Sequence, residues 1–193
     1  MKEQRPPIPD PMARKIRQRC GFGCVICGCP IYEYEHMEEW AKVKRHVADE
    51  ITLLCHKHHG MKTRKLLPSY IVIEANKNPY NYREGNTMTT SEQLPYEGSE
   101  AIIVLGDNTF IINDKGDGTK IIPIMITGKP LIEVTLLDNR FLLNILLFDD
   151  FNNIILKIEN NIICHYVGVW DIEYIANNLI IRQGFGRIFV DIK

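Results

Sequence analysis

Cys24-Val-Ile-Cys27 and Cys55-His56-Lys57-His58 each set two soft ligands three residues apart. That spacing lets one turn of backbone offer both side chains to one cation. The two pairs together supply three thiolates and one imidazole, the donor set of a tetrahedral zinc. Such a site is closed and structural, with no open position for a reacting molecule. Cys29 competes for a ligand position, and Cys20 more weakly. Five of the six cysteines lie within the first 55 residues, and five of the six histidines fall between residues 36 and 59. Disulfides or buried thiols are the competing reading, and in a cytosolic chain such a cluster favours metal. Between the two pairs stands Glu35-His36, and His59 directly follows the second. Imidazole suits proton abstraction near neutral pH. The plain alternative for Glu35 and His36 is a solvated strand surface.

The elements that must position these groups are readable in outline. Residues 1–12 carry four prolines and read as an extended arm. Asp10-Pro11 reads as a cap and a first-turn proline, followed by a basic helix from Met12 to about Cys20. Gly21 and Gly23 end it. Residues 31–37 alternate as a short strand, residues 50–55 as a second, and His56 to Leu66 as a helix. Residues 69–76 could form a helix, although their β-branched content leaves a strand open. Residues 76–100 are polar and rich in turn formers, which places a linker at 79–100 between an N-terminal domain at 1–78 and a second domain at 101–193. From Ala101 onward, short apolar runs alternate with turn signals at spacings of about 8–12 residues, the pattern of an all-β sandwich or barrel. The expected fold class is therefore α+β: a small zinc-stapled module followed by an all-β domain.

Composition bounds the setting. The hydrophobic fraction of 45% is ordinary for a globular protein. No apolar run is long enough for a membrane span, and the N-terminus lacks a secretory apolar core, so a cytoplasmic location is expected. Of the 23 basic and 24 acidic residues, 13 and 8 fall in residues 1–68, leaving 10 and 16 for the rest. A basic front and an acidic back fit a nucleic-acid-facing module joined to something else.

The run from Cys24-Val-Ile-Cys27-Gly28, through Glu35-His36, to Leu54-Cys55-His56-Lys57-His58-His59 and Lys62 resembles the HNH endonuclease family. The match covers about a quarter of the 193 residues. The resemblance implies a ββα-metal nuclease with a structural Zn²⁺ on Cys24, Cys27, Cys55 and His58. It implies that His36 is the general base and that Glu35 and His59 hold one divalent cation, Mg²⁺ or Mn²⁺. Double-stranded DNA is the expected substrate, with RNA a compatible one. The physics agrees: phosphodiester hydrolysis needs an activated nucleophile and a cation to neutralise developing charge.

One position departs from the family. Where the family usually has an Asn that braces the base, this chain has Glu50, preceded by Asp49. A carboxylate there could accept from the imidazole N–H or act as an extra metal ligand. It could also mark a catalytically impaired, zinc-containing nucleic-acid-binding module. Phosphate contacts are expected from Lys57, Lys62, Arg64 and Lys65, with Arg14, Lys15, Arg17 and Arg19 as a second group and Lys42, Lys44 and Arg45 as a third. Solvated surface is the plain alternative for each. The β domain carries no catalytic constellation; Cys164, His165 and Trp170 read as core or surface. It is expected to be a regulatory, partner-binding or homo-oligomerisation unit. By analogy alone, a nuclease fused to an unrelated domain suggests a bacterial or phage defence or restriction role.

Overall fold

The computed structural model describes residues 5–88, 94–95, 100–113, 118–137, 140–175 and 178–192. The first residues of the expected arm, and most of the 89–99 part of the expected linker, lie outside these. In chain order the elements are α1 (Asp10–Arg19), β1 (Glu33–His36), α2 (Trp40–Val43), a 3-10 turn (Ala48–Glu50), β2 (Ile51–Leu54), α3 (His56–Thr63), α4 (Ser69–Lys77), α5 (Tyr80–Glu84) and β3 (Asn86–Met88). Strands alone follow: β4 (Leu94–Pro95), β5 (Glu100–Leu105), β6 (Asn108–Asn113), β7 (Lys120–Ile126), β8 (Lys129–Leu137), β9 (Arg140–Phe148), β10 (Ile154–Glu159), β11 (Ile162–Tyr166), β12 (Asp171–Ile175), β13 (Asn178–Gly184) and β14 (Arg187–Ile192). The fold is mixed α+β with mostly antiparallel sheets. Among the described residues no helix is long and apolar enough to cross a membrane.

The chain forms two compact units, Met1–Thr89 with Tyr166–Lys193, and Thr90–His165. This differs from the division expected at residue 100, because the last three strands belong with the N-terminal elements.

In the first unit, β1 and β2 pair antiparallel, with Glu35 opposite Thr52 and His36 opposite Ile51. All four residues of β2 are buried, as expected for a strand covered on both faces. The core gathers Ile16 of α1, Cys20 at its C-terminal cap, Val25, Leu53, Leu54, Leu67 and Val72 around the two cysteine turns. Ile16 and Cys20 are one helical turn apart and share a face. Asp10 is the first residue of α1 rather than its cap, where its charge favours the helix N-terminus. Residues 69–77 form a helix despite their β-branched content. Pro68 sets its start, and Val72 and Ala75, three apart, pack on the core.

β12, β13 and β14 form a meander whose buried side chains include Ile172, Leu179, Ile181 and Val190. Its first strand is tied to α1. Arg17 Nε and Nη2 donate to the two Asp171 carboxylate oxygens at 2.9 and 2.8 Å. Arg17 Nη1 donates to Tyr34 Oη at 2.8 Å. Gln18 Nε2 donates to the Trp170 carbonyl, and the Arg14 guanidinium lies 4.3 Å above the Trp170 ring. Arg17 was expected to face phosphate. With side-chain exposure of 7% and Asp171 at 3%, it is instead a buried structural charge.

The second unit is all strand among its described residues. β7, β8, β9, β10 and β11 run as an antiparallel meander, β4 pairs with β9, and β5–β6 is a separate hairpin. Thr127-Gly128 and Asn160-Asn161 both have positive φ, the conformation of two-residue turns that match strand twist. Ile132, Val134 and Leu136 alternate inward along β8. The hairpin packs on this face through Ala101 and Ile112.

Two outcomes follow from these buried charges. Arg17→Met removes both close hydrogen bonds to the buried Asp171 carboxylate and leaves it only Arg182 at 3.5 Å, so it should lower stability by about 3 kcal/mol, the low end for a broken buried pair, read from denaturant midpoints. Arg17→Met with Asp171→Leu should recover most of that loss. Burial of His165 pushes its pKa down from 6.5 to about 3. The fold therefore favours neutral His165, so its contribution is complete above about pH 6.5 and is lost as pH falls toward 3. His165→Leu should flatten that acid-side loss in denaturant curves at pH 7, 5 and 4. Parallel losses in both proteins would remove His165 as the cause.

Candidate metal centre and the histidine cluster beside it

Cys24 and Cys27 sit in a tight turn between Gly23 and Gly28. The Gly28 amide donates to the Cys24 carbonyl at 2.7 Å, and Gly28 has φ +76°. A Cβ on Gly23 would lie 2.5 Å from Gly28 O and 2.5 Å from Asn81 Nδ2, so the turn is too close for any side chain. Asn81, buried on α5, clasps the turn by donating to Gly21 O at 2.7 Å and Gly28 O at 3.2 Å. Cys55 caps α3, and His58 stands in its first turn.

The ligand atoms of Cys24, Cys27, Cys55 and His58 all lie within 4.8 Å of one another. Cys27 Sγ is 3.8 Å from Cys55 Sγ, and His58 Nδ1 is 3.4 Å from both Cys24 Sγ and Cys55 Sγ. Zinc bonds of about 2.3 Å to sulfur and about 2.0 Å to nitrogen give tetrahedral edges of about 3.8 Å between sulfurs and about 3.5 Å between sulfur and nitrogen. The Cys₃His cluster could therefore hold a zinc. The Cys27 thiol, by hydrogen bonding, pulls the Cys24 pKa down to about 4, and the same contact pushes Cys27 up. Crowded thiols that must share protons are what a cation relieves. The rivals stand elsewhere: Cys20 Sγ faces Thr52 Oγ1 at 3.7 Å, and Cys29 Sγ donates to Ile31 O at 3.5 Å.

A second cluster lies between β1 and α3. Glu33 and Glu35, two apart on the strand, share a face. His56 and His59, three apart on the helix, meet them. Glu35 Oε2 is 3.1 Å from His59 Nε2, Glu33 Oε2 is 3.5 Å from His59 Nδ1, and Glu33 Oε1 is 2.8 Å from His56 Nδ1. Lys62, at 8% side-chain exposure, donates to Glu35 Oε1 at 2.6 Å and to the His36 carbonyl at 3.0 Å.

His36 ends β1 and is buried. Its Nδ1 lies 2.6 Å from Arg5 Nη2, and its Nε2 lies 3.3 Å from His46 Nδ1. Trp40 packs on both rings, with centroids 5.0 Å from His36 and 4.9 Å from His46. Burial, then the Arg5 charge and His46, lower the His36 pKa below its ordinary value. A cleft of about 500 Å³ opens here, lined by Arg5, Glu35, His36, Trp40, Lys62 and Lys65 among others.

The expected site residues thus fall unevenly. Glu35 and His59 meet, and His36 lines the same cleft as Glu35. Glu50 does not reach His36 among the described contacts; its carboxylate takes Arg45 Nη2 at 2.7 Å. That pair also engages Arg45, one of the expected phosphate ligands. Lys62 serves the cleft from within, against the expectation of a surface phosphate contact. Lys44, Lys57, Arg64 and Lys65 are exposed. Arg19 is bound to Asp49 and to the carbonyls of Ala48 and Ile51. Sequence reasoning missed Arg5, Glu33, Trp40 and Asn81 and left His46, like His56, without a role. The alternation of β1 does place Glu33 beside Glu35. Arg5, Trp40, His46 and Asn81 reach the site only through the tertiary fold.

Comparison of the chain with protein-family models, with curated proteins and with solved structures finds no match.

Protein purified without chelator should carry one zinc per chain by elemental analysis. Cys27→Ser or His58→Ala should abolish stoichiometric zinc, whereas Cys20→Ser and Cys29→Ser should keep it. Zinc bound by all four variants would place the metal on other ligands. Structural zinc contributes on the order of 10 kcal/mol at neutral pH, so a strong chelator should also lower the melting temperature of the first unit.

Proposed function

We propose that this chain is a metal-dependent HNH endonuclease that hydrolyses DNA phosphodiester bonds. The observation that carries the reading is the meeting of Glu35 and His59 at 3.1 Å, with Glu35 and His36 lining one cleft, on a strand–strand–helix unit that carries the Cys₃His cluster. Mg²⁺ takes ligands at about 2.1 Å in octahedral geometry, so neighbouring ligand atoms stand about 3.0 Å apart. The Glu35–His59 pair has that spacing, and Glu35 and His59 would hold the cation. When bound, Mg²⁺ or Mn²⁺ would neutralise charge developing on the scissile phosphate.

The chain's own groups supply the rest. Lys62 anchors Glu35 by Oε1 and leaves Oε2 toward His59. His36, whose pKa is lowered by burial, by Arg5 and by His46, can take a proton from water through its Nδ1 lone pair when Arg5, 2.6 Å away, releases it. Lys57, Arg64 and Lys65, exposed on and beside α3, are placed to meet phosphates, and binding through them weakens as salt rises. The Cys₃His site holds the scaffold and takes no part in the chemistry.

A second reading is favoured by a specific observation. Glu50 is held by Arg45 and both ring nitrogens of His36 are engaged, which suits a zinc-containing nucleic-acid-binding module without catalysis. Supercoiled plasmid incubated with the protein and Mg²⁺ or Mn²⁺ separates the two. Metal-dependent nicking is expected, lowered about 10²–10⁴-fold by His36→Ala and strongly by Glu35→Gln. Plasmid binding without nicking under either metal, or equal nicking by His36→Ala, would reject the nuclease reading.

A further inference from the structure

We infer that His46 is the positioning residue for His36, taking over the bracing role that position 50 has in the HNH resemblance. The inference rests on the endonuclease reading for its consequence, but its geometry stands alone. A guanidinium only donates, so the Arg5 contact at 2.6 Å requires a lone pair on His36 Nδ1. A neutral imidazole with a lone pair on Nδ1 carries its proton on Nε2. That proton points to His46 Nδ1 at 3.3 Å, which must then accept. His46 in turn keeps its proton on Nε2 and donates it to the Pro6 carbonyl at 2.8 Å. Only one neutral assignment satisfies all three contacts: Arg5 to His36, His36 to His46, His46 to Pro6.

The rings add orientation. The His36 and His46 centroids lie 5.3 Å apart, Trp40 covers both, and the Arg5 guanidinium lies 5.1 Å from the Trp40 ring. His46 therefore holds the His36 imidazole in one tautomer and one orientation, with the lone pair on Nδ1, where Arg5 now donates to it. An orienting partner of this kind fixes which nitrogen can act as base. Glu50, engaged with Arg45, makes no such contact among the described residues.

The test uses the full-length chain labelled with ¹⁵N-histidine, whose ring nitrogen shifts distinguish the two tautomers. Wild type should show His36 protonated on Nε2. His46→Phe keeps an aromatic ring and removes the acceptor; it should mix the tautomers. It should also lower the kcat of plasmid nicking about 10–100-fold, with KM unchanged. His46→Asn returns an acceptor oxygen at the place of Nδ1 and should restore both the tautomer and most of the rate. Wild-type zinc content in each variant shows that the fold is intact; if His46→Phe fails this check, the His46→Asn spectrum and a His46→Leu variant decide. An unchanged tautomer without an acceptor at position 46 overturns the inference. If wild type does not nick, the endonuclease reading fails, while the spectra still decide whether His46 sets the His36 tautomer.

Discussion

The convergence of two cysteine turns on one point is the constraint on which the first unit depends. Cys24 and Cys27 lie before β1, and Cys55 and His58 lie after β2, so their meeting closes the chain around the β1–β2 pair. The turn carrying Cys24 and Cys27 admits no Cβ at Gly23, and Asn81 seals it from α5. Once closed, α3 must start beside the end of β2, which brings His59 to Glu35. The short strands have few core residues of their own, and a small module of this kind depends on such a staple. A shift of α3 by one residue would turn His59 about 100° away from the strand.

Charge is organised around that scaffold in two ways. Arg17 is buried with Asp171 and Tyr34, where geometry and hydrogen bonding must outweigh desolvation. Glu35 is shared between a lysine and a histidine, with partial exposure and a cleft in front. In the first arrangement the guanidinium is engaged by Asp171, Tyr34 and Glu173. The second leaves one carboxylate oxygen facing an imidazole, the arrangement of a group that can exchange a partner.

The knuckle spacing and the order strand, loop, strand, helix were legible because both are local in sequence. The helix at α3 was placed correctly at its start, since Cys55 and His58 demand a turn there. Its end was overrun by three residues, because Lys65 adopts a positive φ that no residue type announced. The assignment of Arg17 failed for a different reason. Basic residues on a helix look alike in sequence, and only the arrival of Asp171 decides which one is buried. Arg5 and Asn81 were hidden likewise, since each joins its site across long stretches of chain, and the place of His46 depends on how the loop around α2 turns back to His36. Glu50 could be flagged as a departure, but its pairing with Arg45 depends on how the loop after α2 folds back.

The link between Arg17 and Asp171 spans 154 positions, and this has a consequence for the order of assembly. During synthesis the cysteine turns and the whole His36 cleft emerge first. The second unit follows, and most of its strand pairs are consecutive hairpins, with β4–β9 the longer-range pair. Only then does β12 appear, and until it does α1 carries a guanidinium and an adjacent Trp170 site without their counterparts. The chain thus encodes a delay: the segment bearing the Cys₃His cluster and the cleft is translated before β12 but acquires its finished support last. Long-range closure of this kind is slow by nature, and folding the second unit first shortens the loop of free chain that must be closed.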